Sequence, residues 1–488
     1  MSHGARLSLG ALMLLGGLGW IFRRSLRPVL ARIAQQRKTL WVFIGIIALL
    51  PMLHMTWMVR HYGINVPTLD DWEMAALISH AQTGQLKFSE IFAQQQEGRT
   101  ILPKLIFILS AADGNWDVRD QMMLSVLACW LTAAGLLILL QRTALKKPAR
   151  AVCLWLIALT LFTPAQFELW IFASGFPSFL PALFLVAGLV VIGTRLATGW
   201  KFFLCAAFAT ASSFSLPHGL LAWALTFPVL IMTKPSRRWP WWLGGWLVIC
   251  ALCAAFYFWG YHKPAYLPAF APTVSLFEYA RFFLQFLGGG LAYALKNQPS
   301  LAAEIFGAGQ LLLFLFALGF TARRFRDRAF LARVFPWFAL GMYALGSAFL
   351  ATLGRVGYGA PYALASRYVA FSIYLTIAVV VLLAIIAQES MQNSARTRAS
   401  VLIPCAILLL AYLIPYRVCA ANTLYFLRAL SAKDRLAHAA VLFSGVIDTS
   451  DTIVKTTYPS ARAVKESAAD LDRLHLLRPR LAQSNRVS

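Results

Sequence analysis

Residues 40 to 59, LWVFIGIIALLPMLHMTWMV, form an apolar run that would measure about 30 Å as a helix, the thickness of a bilayer's hydrocarbon core. Runs of this kind recur along the whole chain. A segment in lipid has no water to satisfy its backbone N–H and C=O groups, and a helix satisfies them within itself. With 59% hydrophobic residues, only 13% charged residues and a mean hydropathy of +0.66, the chain lies far outside the globular range. These features define an all-α polytopic membrane protein.

The formal charge of +25 would suit a nucleic-acid partner, but the Lys and Arg residues cluster in short segments between apolar runs, which marks cytoplasmic loops. Nucleic acid is therefore excluded as a partner. Arg23, Arg24, Arg27, Arg32, Arg37 and Lys38 precede the run at 40–59, so that span starts inside and emerges near Arg60. The later clusters at 142–150, 195–201, 234–238, 323–328 and 396–398 repeat the pattern. Alternation predicts about eleven transmembrane helices. It requires LFEYARFFLQFLGGGLAYAL, 276 to 295, to be an outer-surface or re-entrant helix, which an interruption at Gly288, Gly289 and Gly290 would permit. The predicted organisation is a basic cytoplasmic segment over 1–40, with 7–22 as a candidate extra membrane helix, a transmembrane domain over 41–416 with an outer loop at 60–120, and a small extracytoplasmic segment over 417–488. Seven cysteines show no metal-ligand spacing, and the CxxC of Cys250 and Cys253 sits inside an apolar run, where helix packing explains it.

The acidic residues are distributed unevenly. Of 19 Asp and Glu, eight fall between Arg60 and Gln121: Asp70, Asp71, Glu73, Glu90, Glu97, Asp113, Asp117 and Asp120. WEMAALISHAQTG has helical periodicity, with Trp72, Ala76, Leu77 and His80 on one face, and FSEIFAQQQ begins a second amphipathic stretch, so both are expected as surface helices in the first outer loop. Asp70 and Glu73 have capping-box spacing. Capping accounts for one aspartate but does not require two, and a carboxylate held at the membrane rim can act as a general base. Further polar residues fall on the same predicted side: Glu97 and Arg99 in QQQEGRTILPKL, Gln166 and Glu168 in TPAQFELWIF, His218 in FSLPHGLLAW, and Arg355 and Arg367 in GRVGYGAPYALASRY. A salt bridge between Glu97 and Arg99 would explain two of them structurally. Charges near membrane depth are expensive unless paired or solvated, so the set as a whole points to a shared outward-facing polar cavity.

A base and arginines at that interface suit one reaction class. Asp70 or Asp71 would take the proton of an acceptor hydroxyl as it attacks the anomeric carbon of a sugar on a polyprenyl phosphate, and Arg355 and Arg367 would neutralise the departing phosphate. A phosphate leaving group needs no acid, unlike the leaving group in glycoside hydrolysis.

On TLDDW, EGRTILP, AQFELW, SLPHGLLAW, FFLQFLGGG, GRVGYG with ALASRY, and TTYPS, the chain resembles the GT-C superfamily of integral membrane glycosyltransferases, within a bacterial multi-spanning branch. The matching stretches cover most of residues 60 to 460. The resemblance implies Asp70 as the loop aspartate with Asp71 as its acidic neighbour. It carries Glu97, Arg99, Gln166, Glu168, Arg355, Ser366, Arg367 and Tyr368 over as site residues. Relatives carry histidines where this chain has Gln95 and Gly98, which puts any metal or phosphate role of those positions in doubt. The resemblance also implies a polyprenyl-phosphate sugar donor, a glycan or lipid acceptor, surrounding membrane lipids, and a bacterial inner membrane with the site facing outward. A divalent cation across Asp70, Asp71 and Glu97 is conceivable, although no spacing demands one. A transporter or flippase of lipid-linked sugars would share the spans and cavity, but no internal repeat accompanies them. A membrane acyltransferase would need a buried histidine or a Ser–His arrangement facing an acyl donor, and His218 reads as a turn residue.

Overall fold

The computed structural model describes residues 37–112, 116–233, 239–264, 274–293, 295, 298–391, 395–444, 446, 451–477 and 479–482. Among these residues every regular element is helical, apart from one isolated bridge between Gln95 and Gly98. The chain divides into Met1–Pro51 and Met52–Ser488, and every candidate site residue belongs to the second unit.

Helix α1 (Arg37–Tyr62) leads into the polar loop, which holds α2 (Asp71–Gln82), α3 (Phe88–Phe92) and α4 (Ile101–Ser110). Then come α5 (Val118–Gln141), α6 (Lys147–Leu161), α7 (Phe167–Ile171), α8 (Leu180–Ile192), α9 (Thr198–Ser213), α10 (Leu221–Thr233) and α11 (Trp239–Phe258). The second half comprises α12 (Leu276–Ala292), α13 (Pro299–Ala322), α14 (Arg328–Arg355), α15 (Val369–Ser390), α16 (Ala395–Leu442), α17 (Asp451–Val454) and α18 (Ala461–Arg473). Short polar side chains start several of them by accepting a free N–H of the first turn. Asp117 takes Arg119 N at 2.8 Å, Asp327 takes Phe330 N at 2.9 Å and Ser460 takes Ala463 N at 3.3 Å.

Among the described residues, eight helices are long and apolar enough to cross a membrane, which marks a multi-pass membrane protein. The expected count of eleven is not confirmed: α9, at 16 residues, and the stretch Pro217–Ile231 are shorter than a span of that kind. Residues 7–22 lie outside the described residues.

Three local expectations need correction. The triple glycine does not interrupt α12, which runs unbroken from Leu276 to Ala292. A Cβ on Gly288 would lie 2.0 Å from the Ala303 carbonyl oxygen, and one on Gly307 would lie 2.0 Å from that of Leu284, so the glycines let α12 and α13 touch backbone to backbone. No break occurs at 417 either. α16 carries on from the last apolar run to Leu442, because Tyr416–Leu442 contains no glycine or proline to stop it. On α2, finally, Ala76 is exposed, and the buried face is made by Asp71, Trp72, Met74, Ala75, Leu77 and Ile78.

Past α16 the chain returns to the polar loop. Val454, Ala461, Val464, Ala468 and Leu471 are buried, α18 packs on α2, and the Thr457 carbonyl accepts Leu69 N at 2.6 Å. Leu69 has φ +48°, a left-handed conformation that is costly for a leucine. The C-terminal segment thus anchors the turn that presents Asp70.

Candidate functional site

The two aspartates of TLDDW have opposite surroundings. Asp71 is 1% exposed, and both of its oxygens are committed: Oδ1 accepts Ser174 N at 2.7 Å, and Oδ2 accepts Thr68 N at 3.1 Å and Thr68 Oγ1 at 3.3 Å. It ties the start of α2 to the turn after α7. Burial pushes its carboxyl up to about 6, against the pull of those hydrogen bonds.

Asp70 is free of that duty. The expected capping box does not form, because Asp70 already has helical dihedrals (φ −62°, ψ −17°) and its side chain makes no cap hydrogen bond. Its Oδ2 instead accepts Gln96 Nε2 at 2.5 Å. Burial, and then the nearby Glu73 charge, raise its carboxyl to about 6, while the Gln96 bond and the field of Arg367 pull the other way. A carboxyl at about 6 is largely ionised at neutral pH yet far more basic than an ordinary aspartate, which suits a general base.

The QQQEGR stretch joins several elements. Gln94 exchanges hydrogen bonds with the His262 backbone at 2.6 and 3.0 Å, and Gln95 reaches Glu73 at 3.3 Å and Thr100 at 2.7 Å. The expected Glu97–Arg99 salt bridge is absent. Glu97 pairs with Arg355 at the end of α14, 258 residues away. Arg99, 3% exposed, donates instead to the carbonyls of Phe92, Tyr257 and Trp259 and lies 4.1 Å above the Phe92 ring. Its guanidinium therefore clamps the polar loop to the end of α11.

The second arginine arrives by tight turns between α14 and α15. Gly359, at φ +89° and ψ 152°, adopts a conformation essentially closed to other residues, and this folds GRVGYGAPYALASRY back on itself. Arg367 lies 5.2 Å from the Tyr362 ring and 5.5 Å from the Tyr368 ring, and donates to the Tyr362 hydroxyl. Glu168 is within its Coulombic reach, and Glu168 N donates to Ser366 Oγ at 3.1 Å. Asp70, Glu73, Glu97, Glu168, Arg355, Arg367 and Tyr368 thus form one connected cluster assembled from four distant segments.

Gln166 and His218 lie deeper. Gln166 is fully buried and donates to the Leu161 carbonyl at 2.7 Å. His218 sits in the turn Pro217–Leu220, stacked 4.3 Å from Phe371, and both ring nitrogens are buried without a hydrogen-bond partner among the described residues. Pro217 next to it abuts Gly98, where a Cβ would come within 2.8 Å, which explains the glycine after Glu97.

Three residues escaped the sequence reading as site members. Gln96 is the partner of Asp70, Tyr362 that of Arg367, and Thr457 that of the Leu69 turn. All three stand inside strings already singled out, Thr457 in TTYPS, but nothing local marks which residue of each string turns toward the cluster.

A divalent ion across Asp70, Asp71 and Glu97 fits this arrangement poorly: Asp71 is buried and already takes three donors, and Glu97 is paired with Arg355. Among the described residues no three His, Cys, Asp or Glu side chains converge as a metal-binding group.

No family model and no curated protein matches the chain. Among solved structures it is similar to the oligosaccharyltransferase of Archaeoglobus fulgidus in its apo form, at 15% identity and a TM-score of 0.42, over 91% of this chain and 60% of that one. The chain thus spans less than two thirds of that protein, and a likeness of this degree fixes neither fold nor activity.

Proposed function

We propose that this chain is a GT-C-like membrane glycosyltransferase that moves a sugar from a polyprenyl-phosphate donor to a glycan or lipid acceptor on the extracytoplasmic side of a bacterial inner membrane. The observation that carries the proposal is one cluster at one end of the bundle in which the carboxylate of Asp70 lies in the field of Arg367, and Arg355, paired with Glu97, acts on the neighbouring Tyr368. Asp70 takes the acceptor's proton, the acceptor oxygen forms its bond to the anomeric carbon, and the sugar–phosphate bond breaks with its electrons going to the phosphate oxygen. Arg367 and Arg355 stabilise the charge that develops there. Tyr362 and Tyr368 hold the Arg367 guanidinium, whose planar fork suits two phosphate oxygens. Asp71 and Arg99 act as scaffold.

The test is release of polyprenyl phosphate by the purified chain in liposomes, assayed with a panel of polyprenyl-phosphate sugars. Asp70→Asn should abolish release and leave donor binding intact. The rival transporter reading expects unmodified donor to change leaflets with little dependence on Asp70, and that result would replace the transferase proposal.

A further inference from the structure

The end of the bundle remote from the cluster concentrates charge of the opposite kind. α14 and α15 have 28 and 22 residues, so their far ends lie about 42 and 33 Å from the Arg355 and Arg367 ends, roughly a membrane's thickness. There α15 finishes in Gln388 and Glu389, and the two side chains gather two loops that are distant in sequence. Gln388 accepts Lys146 N at 2.6 Å and donates to the Ala144 carbonyl at 3.1 Å, which fixes the turn between α5 and α6. Glu389 takes Arg324 at 3.0 Å and Arg333 at 3.1 Å, which fixes the turn between α13 and α14.

The juxtaposed stretches 142–150 and 323–333 carry nine Lys and Arg, against two carboxylates, Asp327 and Glu389. Both carboxylates are engaged, Asp327 in starting α14 and Glu389 with its two arginines. Arg323, Arg326 and Arg328 are exposed, and between them Phe325 is 64% exposed with the Arg326 guanidinium 5.6 Å from its ring. The exposed Arg323, Arg326 and Arg328 follow one another along a single turn and repel one another unless anions come between them. An exposed phenyl ring amid arginines, at the end of apolar helices, suits a headgroup layer where the ring dips among acyl chains and the guanidiniums meet phosphates.

From this juxtaposition of two basic turns around an exposed phenylalanine, we infer that this surface is a binding site for the phosphodiester headgroups of anionic phospholipids, in the leaflet opposite the candidate site. The inference does not rest on the proposed transferase activity.

Native mass spectrometry of the full chain in uncharged detergent, titrated with phosphatidylglycerol or with phosphatidylcholine, tests it. Phosphatidylglycerol should bind in preference. The triple variant R323Q/R326Q/R328Q should weaken that binding about a hundredfold, at about fivefold for each charge removed. Arg119→Gln, at the start of α5 next to Asp117, should leave it unchanged. Excess inorganic phosphate should not displace the lipid, because it cannot use Phe325. Should the triple variant fold poorly, as judged by its melting temperature, R326Q alone should show the fivefold loss. Equal binding of phosphatidylcholine, undiminished phosphatidylglycerol binding by a folded variant, or displacement by inorganic phosphate would each overturn the assignment.

Discussion

The Asp70 carboxyl offers the sharpest test, because its surroundings set both a pH dependence and the sign of two perturbations. At about 6 instead of the usual 3.8, the ionised fraction rises from about 9% at pH 5 to about 91% at pH 7. If Asp70 is the base, turnover should therefore climb about tenfold over that interval. An ordinary aspartate would change by less than about a tenth. The exposed Glu73 raises the carboxyl by repulsion, whereas the Gln96 amide lowers it by favouring the charged form. Glu73→Gln should thus move the acid limb of the pH–rate profile to lower pH, and Gln96→Ala should move it to higher pH. Stability follows the same linkage. An acid that holds its proton more tightly when folded works against the fold once ionised, so stability falls as pH rises from about 4 to about 6 and stays reduced above that. Asp70→Asn should then remove turnover while adding at most about 3 kcal/mol of stability at pH 7.5, seen as a higher melting temperature. The profile is measured as initial rates of polyprenyl-phosphate release across pH 4.5 to 8. A limb near pH 4, or one that the two neighbours shift in the same direction, would refute the assignment.

Other substitutions separate scaffold from chemistry. Asp71→Asn places an NH2 group against a donor at Thr68 or Ser174, so it should cost about 1–3 kcal/mol of stability, seen as a lower melting temperature, with activity retained in the folded fraction. Arg99→Lys keeps the charge but loses the longer planar fork that reaches the carbonyls of Phe92, Tyr257 and Trp259, and should cost about 1–3 kcal/mol, read by the same melt. Gly288→Ala drives a Cβ into the Ala303 carbonyl and should cost about 1–3 kcal/mol, whereas Gly309→Ala, with nothing within 4 Å, should be tolerated in the same helix pair. Arg367→Ala should lower kcat/KM at least about a hundredfold if that guanidinium meets the transition-state charge, while Glu97→Gln should act more weakly by leaving Arg355 in place.

The spans and the polar residues were legible because both follow from solvent physics: apolar runs of bilayer length, and charges where lipid would exclude them. Partnerships were not, because a short local pattern offers several partners and only tertiary packing selects among them. Asp70 and Glu73 had capping-box spacing, but the Leu69 turn, anchored by Thr457 from the far end of the chain, sets Asp70 in a helical conformation that turns its carboxylate to Gln96. Glu97 had Arg99 two residues away, but the close fit of Gly98 against Pro217 and the carbonyls at the end of α11 draw Arg99 inward, and Glu97 goes to Arg355. The triple glycine read as a helix break because glycine destabilises helices in water. Between two membrane helices the same missing side chain is what lets the backbones meet. In each case the residue types were right for more than one local structure, and a contact hundreds of positions away, or from the neighbouring helix, decided between them. The same dependence makes the cluster testable as a unit: its aspartate is poised by residues from three segments, so loosening any one of them should shift the acid limb before it abolishes the fold.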